Sequence, residues 1–126
     1  MATDRPPDAP ARFDVRTVVY LRRGTNPPDL PEDESTALHH AHLAHLAHLH
    51  ESGVLLAGGP LSDPAGELRG LSILNVPPDE ARRLKEEDEA VRAGVFSVRV
   101  MPWMIPAGAV SFSPTFFPRS IKDVTG

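Results

Sequence analysis

The run Leu38 to His50, LHHAHLAHLAHLH, holds all six histidines of the chain. Laid on a helix at about 100° per residue, Leu38, Leu46 and Leu49 fall on one face, with Leu43 at its edge. His42 falls among them, in the middle of the leucine stripe. His39 and His50 flank the stripe on one side and His45 on the other, while His40 and His48 point away. An imidazole on an apolar helix face must be hydrogen-bonded, because an unpaired buried polar group is destabilising. The rest of the chain has to supply the partner.

Composition narrows the function classes. A chain of 126 residues with 40% apolar and 24% charged residues is an ordinary one-domain globular protein. A formal net charge of -4 gives nucleic acid and anionic membranes no basic face to bind. There is no cysteine, hence no disulfide framework, thiolate nucleophile or thiolate metal site. No run approaches the roughly 18 apolar residues of a membrane span. The opening residues, MATDRPPDAPAR, lack the apolar segment of a secretory signal. A cytoplasmic enzyme or binding module is expected.

Residues 1–11 carry three prolines and read as a flexible arm. From Arg12 the pattern alternates. Phe13, Val15, Thr17, Val19 and Leu21 take one face; Asp14, Arg16, Val18, Tyr20 and Arg22 take the other, as in a strand. GTNPPDLPEDE, Gly24 to Glu34, is a loop. Ser35 is the expected N-cap of the histidine-rich helix, with Asp29 before Pro31 as a competing start. Gly53 suits the left-handed position that ends a helix. Val54 to Ala57 reads as a second strand ending at Gly58-Gly59-Pro60. LSDPAGE has hairpin-turn chemistry, and Leu68 to Val76 reads as a third strand, apolar on both faces. Pro77-Pro78 opens a second helix ending near Glu87, with Ala81, Leu84 and Asp88 on one face and Arg82, Lys85 and Glu86 on solvated ones. Val95 to Trp103 is a last strand, with Phe96, Val98 and Val100 buried. The order β-α-β-β-α-β is the ferredoxin-like split βαβ arrangement.

Residues 106–126 follow the completed fold and contain Phe112, Phe116 and Phe117. They form a Phe-rich C-terminal extension that either packs across its own subunit or grips a second one.

The stretch His42-Leu43-Ala44-His45-Leu46, then Gly53-Val54-Leu55-Leu56-Ala57-Gly58-Gly59-Pro60-Leu61, resembles the YciI-like (YCII-related) proteins. Gly66, Gly70, Ala81, Asp88, Ala93-Gly94-Val95 and Pro102-Trp103 continue the resemblance, which covers about residues 13 to 103. It implies an α+β, ferredoxin-like domain over residues 12–105 that pairs through its sheet into a dimeric α+β barrel. It also implies an active site built on one histidine and one aspartate, here His42 and Asp88. Chemistry assigned in that family includes lyase-type elimination on aromatic intermediates, and the fold is shared with muconolactone isomerases and cofactor-free monooxygenases. Fold alone selects none of these. Two positions depart from the family pattern: Glu89 stands where proline usually follows the aspartate, and Leu71 stands where a small hydroxyl is common, with Ser72 next.

His42 and Asp88 are both polar groups on otherwise apolar helix faces, and pairing would satisfy both. The pair would orient the imidazole tautomer and let His42 act as a general base or acid. The pattern alone also admits a satisfied core histidine beside a helix-end carboxylate. The i,i+3 histidine pairs drift back about 60° per step around the helix and cannot converge on one ion, so no metal site is expected. Tyr20, Arg22, Gly59 and Pro60 are the substrate-binding candidates; an arginine would suit a carboxylate. The expectation is a cofactor-free homodimer that binds a small molecule and performs lyase- or isomerase-type proton transfer on a cyclic or aromatic metabolite. The alternative is a non-catalytic binding or interaction module in which the pair is structural.

Overall fold

Four strands form one antiparallel sheet in the order β2-β3-β1-β4: β1 Phe13–Arg23, β2 Leu55–Pro60, β3 Leu68–Leu74 and β4 Phe96–Pro106. Helix α1, Glu32–Glu51, links β1 to β2, and α2, Pro78–Lys85, followed by the single turn α3, Glu89–Arg92, links β3 to β4. A last short helix, α4, covers Ile121–Thr125. This is the ferredoxin-like arrangement expected from the element order, and the structure, a computed structural model, describes residues 12–125. The arm expected over residues 1–11 lies outside them.

Strand alternation sorts the sheet into two faces. Val19 and Leu21 of β1 stand beside Ser72 and Gly70 of β3 and Val100 and Val98 of β4. The helices cover this face, where Val19, Leu49, Leu55, Leu74 and Ala81 form the core. Val18 and Tyr20 stand beside Ile73 and Leu71 on one side and Met101 and Arg99 on the other. That second face receives neither α1 nor α2. The doubly apolar third strand therefore has one face in the core and one on the open side.

The buried residues of α1 are Leu43, Ala47 and Leu49, while His42, His45 and Leu46 are half-buried. Ala47, not Leu38, completes the core-facing stripe, because Leu38 lies in the early turns and lines a surface concavity. The helix begins at Glu32 with Pro31 at the cap, rather than at Ser35. Three acids in its first turn, Glu32, Asp33 and Glu34, suit the positive end of the helix dipole and extend it by a turn. At the other end Gly53 adopts φ 84°, the left-handed conformation expected of it.

The second half of the chain departs further from expectation. β3 ends at Leu74 rather than Val76; the carbonyl of Val76 instead accepts the Thr17 hydroxyl at 2.5 Å. β4 runs on to Pro106, since β1 pairs with it along its whole length. Phe96, Val98 and Val100 are half-buried rather than buried, because β4 is an edge strand. Asp88 is not on the face of α2: that helix ends at Lys85, and Asp88 is the N-cap of α3. Lys85, expected in solvent, is fully buried.

The C-terminal extension lies against its own chain. Phe117 packs on the core cluster and stacks on the His50 ring at 4.2 Å. The Thr115 N–H donates to His50 Nε2 at 3.0 Å, and Arg119 pairs with Glu51. Phe116, by contrast, is 68% exposed.

Candidate functional site

Asp88 is placed by local backbone chemistry. An aspartate at an N-cap accepts the N–H two residues on, and Oδ1 of Asp88 takes the Ala90 N–H at 2.9 Å. Glu89 occupies the first helical position, the slot where proline is favoured at helix starts; its side chain carries the negative charge that a helix N-terminus prefers. The departure from the family pattern thus leaves the carboxylate aimed. The Gly24 backbone approaches the same region so closely that a Cβ there would run into the Gly94 carbonyl. That contact seats the α3–β4 turn against the end of β1.

The second oxygen of Asp88, Oδ2, meets His42 Nδ1 at 2.5 Å. The Asp88 side chain is fully buried and that of His42 is 13% exposed. Burial is the largest influence on Asp88 and pushes its pKa up. The hydrogen bond and charge of His42, the Ala90 N–H and the charge of His45 together outweigh it and hold Asp88 below the ordinary carboxylate value. An ionised Asp88 is acceptor-only, so Nδ1 carries the proton that joins them. In the neutral ring Nε2 is then the acceptor. It has no hydrogen-bond partner among the described residues and is not among their buried unpaired atoms. The Phe96 ring lies 5.3 Å away, tilted by 56°.

The other half-buried histidines are held by backbone. His45 Nε2–H donates to the Leu84 carbonyl at 2.9 Å; burial lowers its pKa, against the opposing charge of Asp88. His50 Nδ1–H donates to the Leu55 carbonyl at 2.7 Å.

Lys85 is the residue that sequence reasoning missed. Its Nζ donates to Ser72 Oγ at 2.8 Å, with the lysine 0% and the serine 4% exposed. Burial is the main cause of a pKa lowered to about 8, partly offset by the charge of Asp88. Charge and length alone point such a side chain to solvent. The signal available was its i−3 spacing from Asp88 together with Ser72 on the core face of β3. Leu71, at the departing family position, is half-buried on the other face, opposite Tyr20.

The remaining candidates do not join the pair. Tyr20 and Arg22, with Glu67, Leu68, Arg99 and Met101, line a concavity of about 310 Å³ on the helix-free face of the sheet. Gly59 and Pro60 end the edge strand β2, paired with Leu71 and Gly70. A second concavity, about 350 Å³, lies between the loop before α1, the first turns of α1 and α3; Leu38, one turn before His42, and Glu89, next to Asp88, help to line it. Asp63 is a hairpin residue, accepting N–H groups from Ala65, Glu67 and Leu68. Among the described residues, no three His, Asp or Glu side chains gather in a way that would hold a metal ion.

Fold and site define a small α+β protein of ferredoxin-like topology with a buried carboxylate–imidazole pair under one edge of its sheet. The YCII-related domain matches residues 18–104, and the chain belongs to that family. Among solved structures, 5-chloro-2-hydroxyhydroquinone dehydrochlorinase from Burkholderia phenoliruptrix, in complex with 2,5-dihydroxybenzoquinone, is similar at 23% identity and a TM-score of 0.49, over 70% of this chain and 92% of that one. No curated protein matches the chain. Among the described residues no helix is long and apolar enough to cross a membrane.

Proposed function

We propose that the chain is a cofactor-free general acid/base catalyst that eliminates from, or isomerises, a small cyclic or aromatic metabolite, working as a cytoplasmic homodimer. One observation carries the chemistry: Asp88 occupies Nδ1 of the partly exposed His42 ring, while Nε2 has no partner among the described residues. In this reading Nε2 accepts a proton from substrate carbon or oxygen. The electron pair of the broken bond forms a new double bond. In an elimination the leaving group departs with its own pair; in an isomerisation the proton returns from Nε2 to a neighbouring carbon. The imidazolium formed in between is balanced by the buried carboxylate, which also keeps the ring in one tautomer. The half-buried apolar residues Leu71, Ile73 and Met101, together with Trp103 at 38% exposure, support pairing of two chains through the helix-free face.

The test is proton exchange in deuterium oxide, followed by NMR, over a panel of hydroquinones, halogenated phenols and unsaturated lactones. Wild type is expected to exchange or eliminate on at least one member. His42→Gln and Asp88→Asn, each with a folded amide spectrum, should lose on the order of a hundredfold or more. A panel without turnover, or a His42→Gln variant as active as wild type, sinks the reading.

The second reading, a non-catalytic small-molecule binding module, is favoured by one placement. The Tyr20–Arg22–Arg99 concavity lies on the sheet face opposite the His42 pair. Ligand binding there that survives His42→Gln, with no turnover on the panel, would select it.

A further inference from the structure

The ladder between β1 and β3 is irregular at one point. Leu21 pairs with Gly70, and the next residue, Arg22, pairs with Leu68, so Arg69 is the extra residue of a bulge. In a regular strand Arg69 would alternate with Gly70 and Ser72 and point to the helix-free face with Leu71. A bulge re-aims the side chain it carries. The Arg69 guanidinium carbon accordingly stands 6.0 Å from the centre of the Phe96 ring, the same ring that lies 5.3 Å from His42. Among the described residues Arg69 makes no ion pair with an acid. Its near neighbour Glu67 lines the concavity on the opposite face. Arg69 is thus an exposed cation with no acidic partner among the described residues, held over an aromatic ring that also lies beside His42.

We propose that Arg69 is the anion anchor of the His42 site, selecting small aromatic anions: ring compounds bearing a carboxylate or phenolate. The inference rests on the reading of His42 given above and adds the substrate class. With the exposed guanidinium swung off the Phe96 ring, a planar ring would lie against Phe96, as aromatic pairs do. Its charged oxygens would take the parallel N–H groups of the guanidinium, a geometry that a lysine cannot reproduce. Holding the ring by its anionic end presents another edge to Nε2. A neutral ring of the same shape would keep the aromatic contact and lose the anchor, so the discrimination is one of charge.

Benzoate and its neutral isostere benzamide are the probes, titrated into the full chain at low ionic strength and followed by amide and imidazole NMR. Benzoate is expected to shift resonances of residues 69, 70 and 96 and of the His42 ring, and to bind about tenfold tighter than benzamide. Arg69→Gln should weaken benzoate about tenfold and leave benzamide unchanged, and Arg69→Lys should recover only part of the loss. Arg69 is exposed, so these variants are expected to fold. Equal binding of the two probes, no binding of either at millimolar concentration, or benzoate binding unchanged in Arg69→Gln overturns the proposal. The two readings separate cleanly. Benzoate selection that survives in His42→Gln, with proton exchange also intact there, keeps the anchor and removes His42 as the base. Exchange that depends on His42, with no charge selection, removes the anchor alone.

Discussion

His42 and Asp88 are 46 positions apart in sequence and 2.5 Å apart in space. The contact joins the longest helix of the fold to a single helical turn whose N-cap is the aspartate itself. One carboxylate thus caps α3 with one oxygen and orients an imidazole with the other.

Truncating Asp88 to Ala should destabilise the chain by about 1–3 kcal/mol, since it removes a cap and leaves Nδ1–H unpaired. Asp88→Asn should retain more of the cap but release the tautomer constraint. Urea unfolding measures the first, and ring nitrogen shifts measure the second. The folded-state pKa of Asp88 is depressed, so its stabilising contribution is present above its ordinary value of 3.8 and is lost as pH falls through the lower folded value. The acid limb of wild-type unfolding below about pH 4 should flatten in Asp88→Asn. An unchanged limb would show that other carboxylates dominate it.

Lys85 predicts a slope of the same sign in the alkaline range, because its pKa too is lowered on folding. Its pKa is lowered from 10.5 to about 8 on folding, so the folded state disfavours the ammonium. The penalty is full below about pH 8, is relieved as pH rises toward 10.5, and is on the order of 3 kcal/mol. Lys85→Met removes it, along with the ammonium's attraction to Asp88. We expect the variant to be more stable than wild type by about 1–2 kcal/mol at pH 7, with the gain shrinking by pH 10. Unfolding midpoints at the two pH values decide this. A variant less stable at both would mean that the bond to Ser72 outweighs the burial of charge.

The C-terminal extension has a defined seat. Phe117→Ala should cost about 1–3 kcal/mol, because its ring packs on the core and stacks on His50. Phe116→Ala should change little, as that ring is mostly exposed. Deleting residues 107–126 should lower the melting temperature at least as much as Phe117→Ala. If it alters neither melting nor association state, the extension is an arm of neither kind.

The proposed self-association through the helix-free face makes a direct prediction. Light scattering at micromolar concentration should give twice the chain mass for wild type and the single mass for Ile73→Glu, which places a charge among Val18, Leu71 and Met101. A wild type that is monomeric at that concentration ends the barrel-dimer proposal.

Much of this architecture is legible in the amino-acid order alone. The alternation from Phe13 to Arg23, the leucines and glycine around the histidine run, the DPAG hairpin and the paired prolines at 77–78 are local signals set by backbone sterics and side-chain period. They determine the β-α-β-β-α-β order and, with the family motifs, make His42 and Asp88 the residues to join. What the sequence could not decide is everything that depends on which surface covers which. Whether Lys85 is wet or dry turns on where α2 stops and on a serine hydroxyl in the strand before it. Whether Tyr20 and Arg22 share a site with His42 turns on which sheet face the helices choose. Whether Arg69 reaches the Phe96 ring turns on a one-residue slip between two strands. Burial, bulges and long-range pairs are properties of packed neighbours, and the neighbours exist only once the chain has closed on itself.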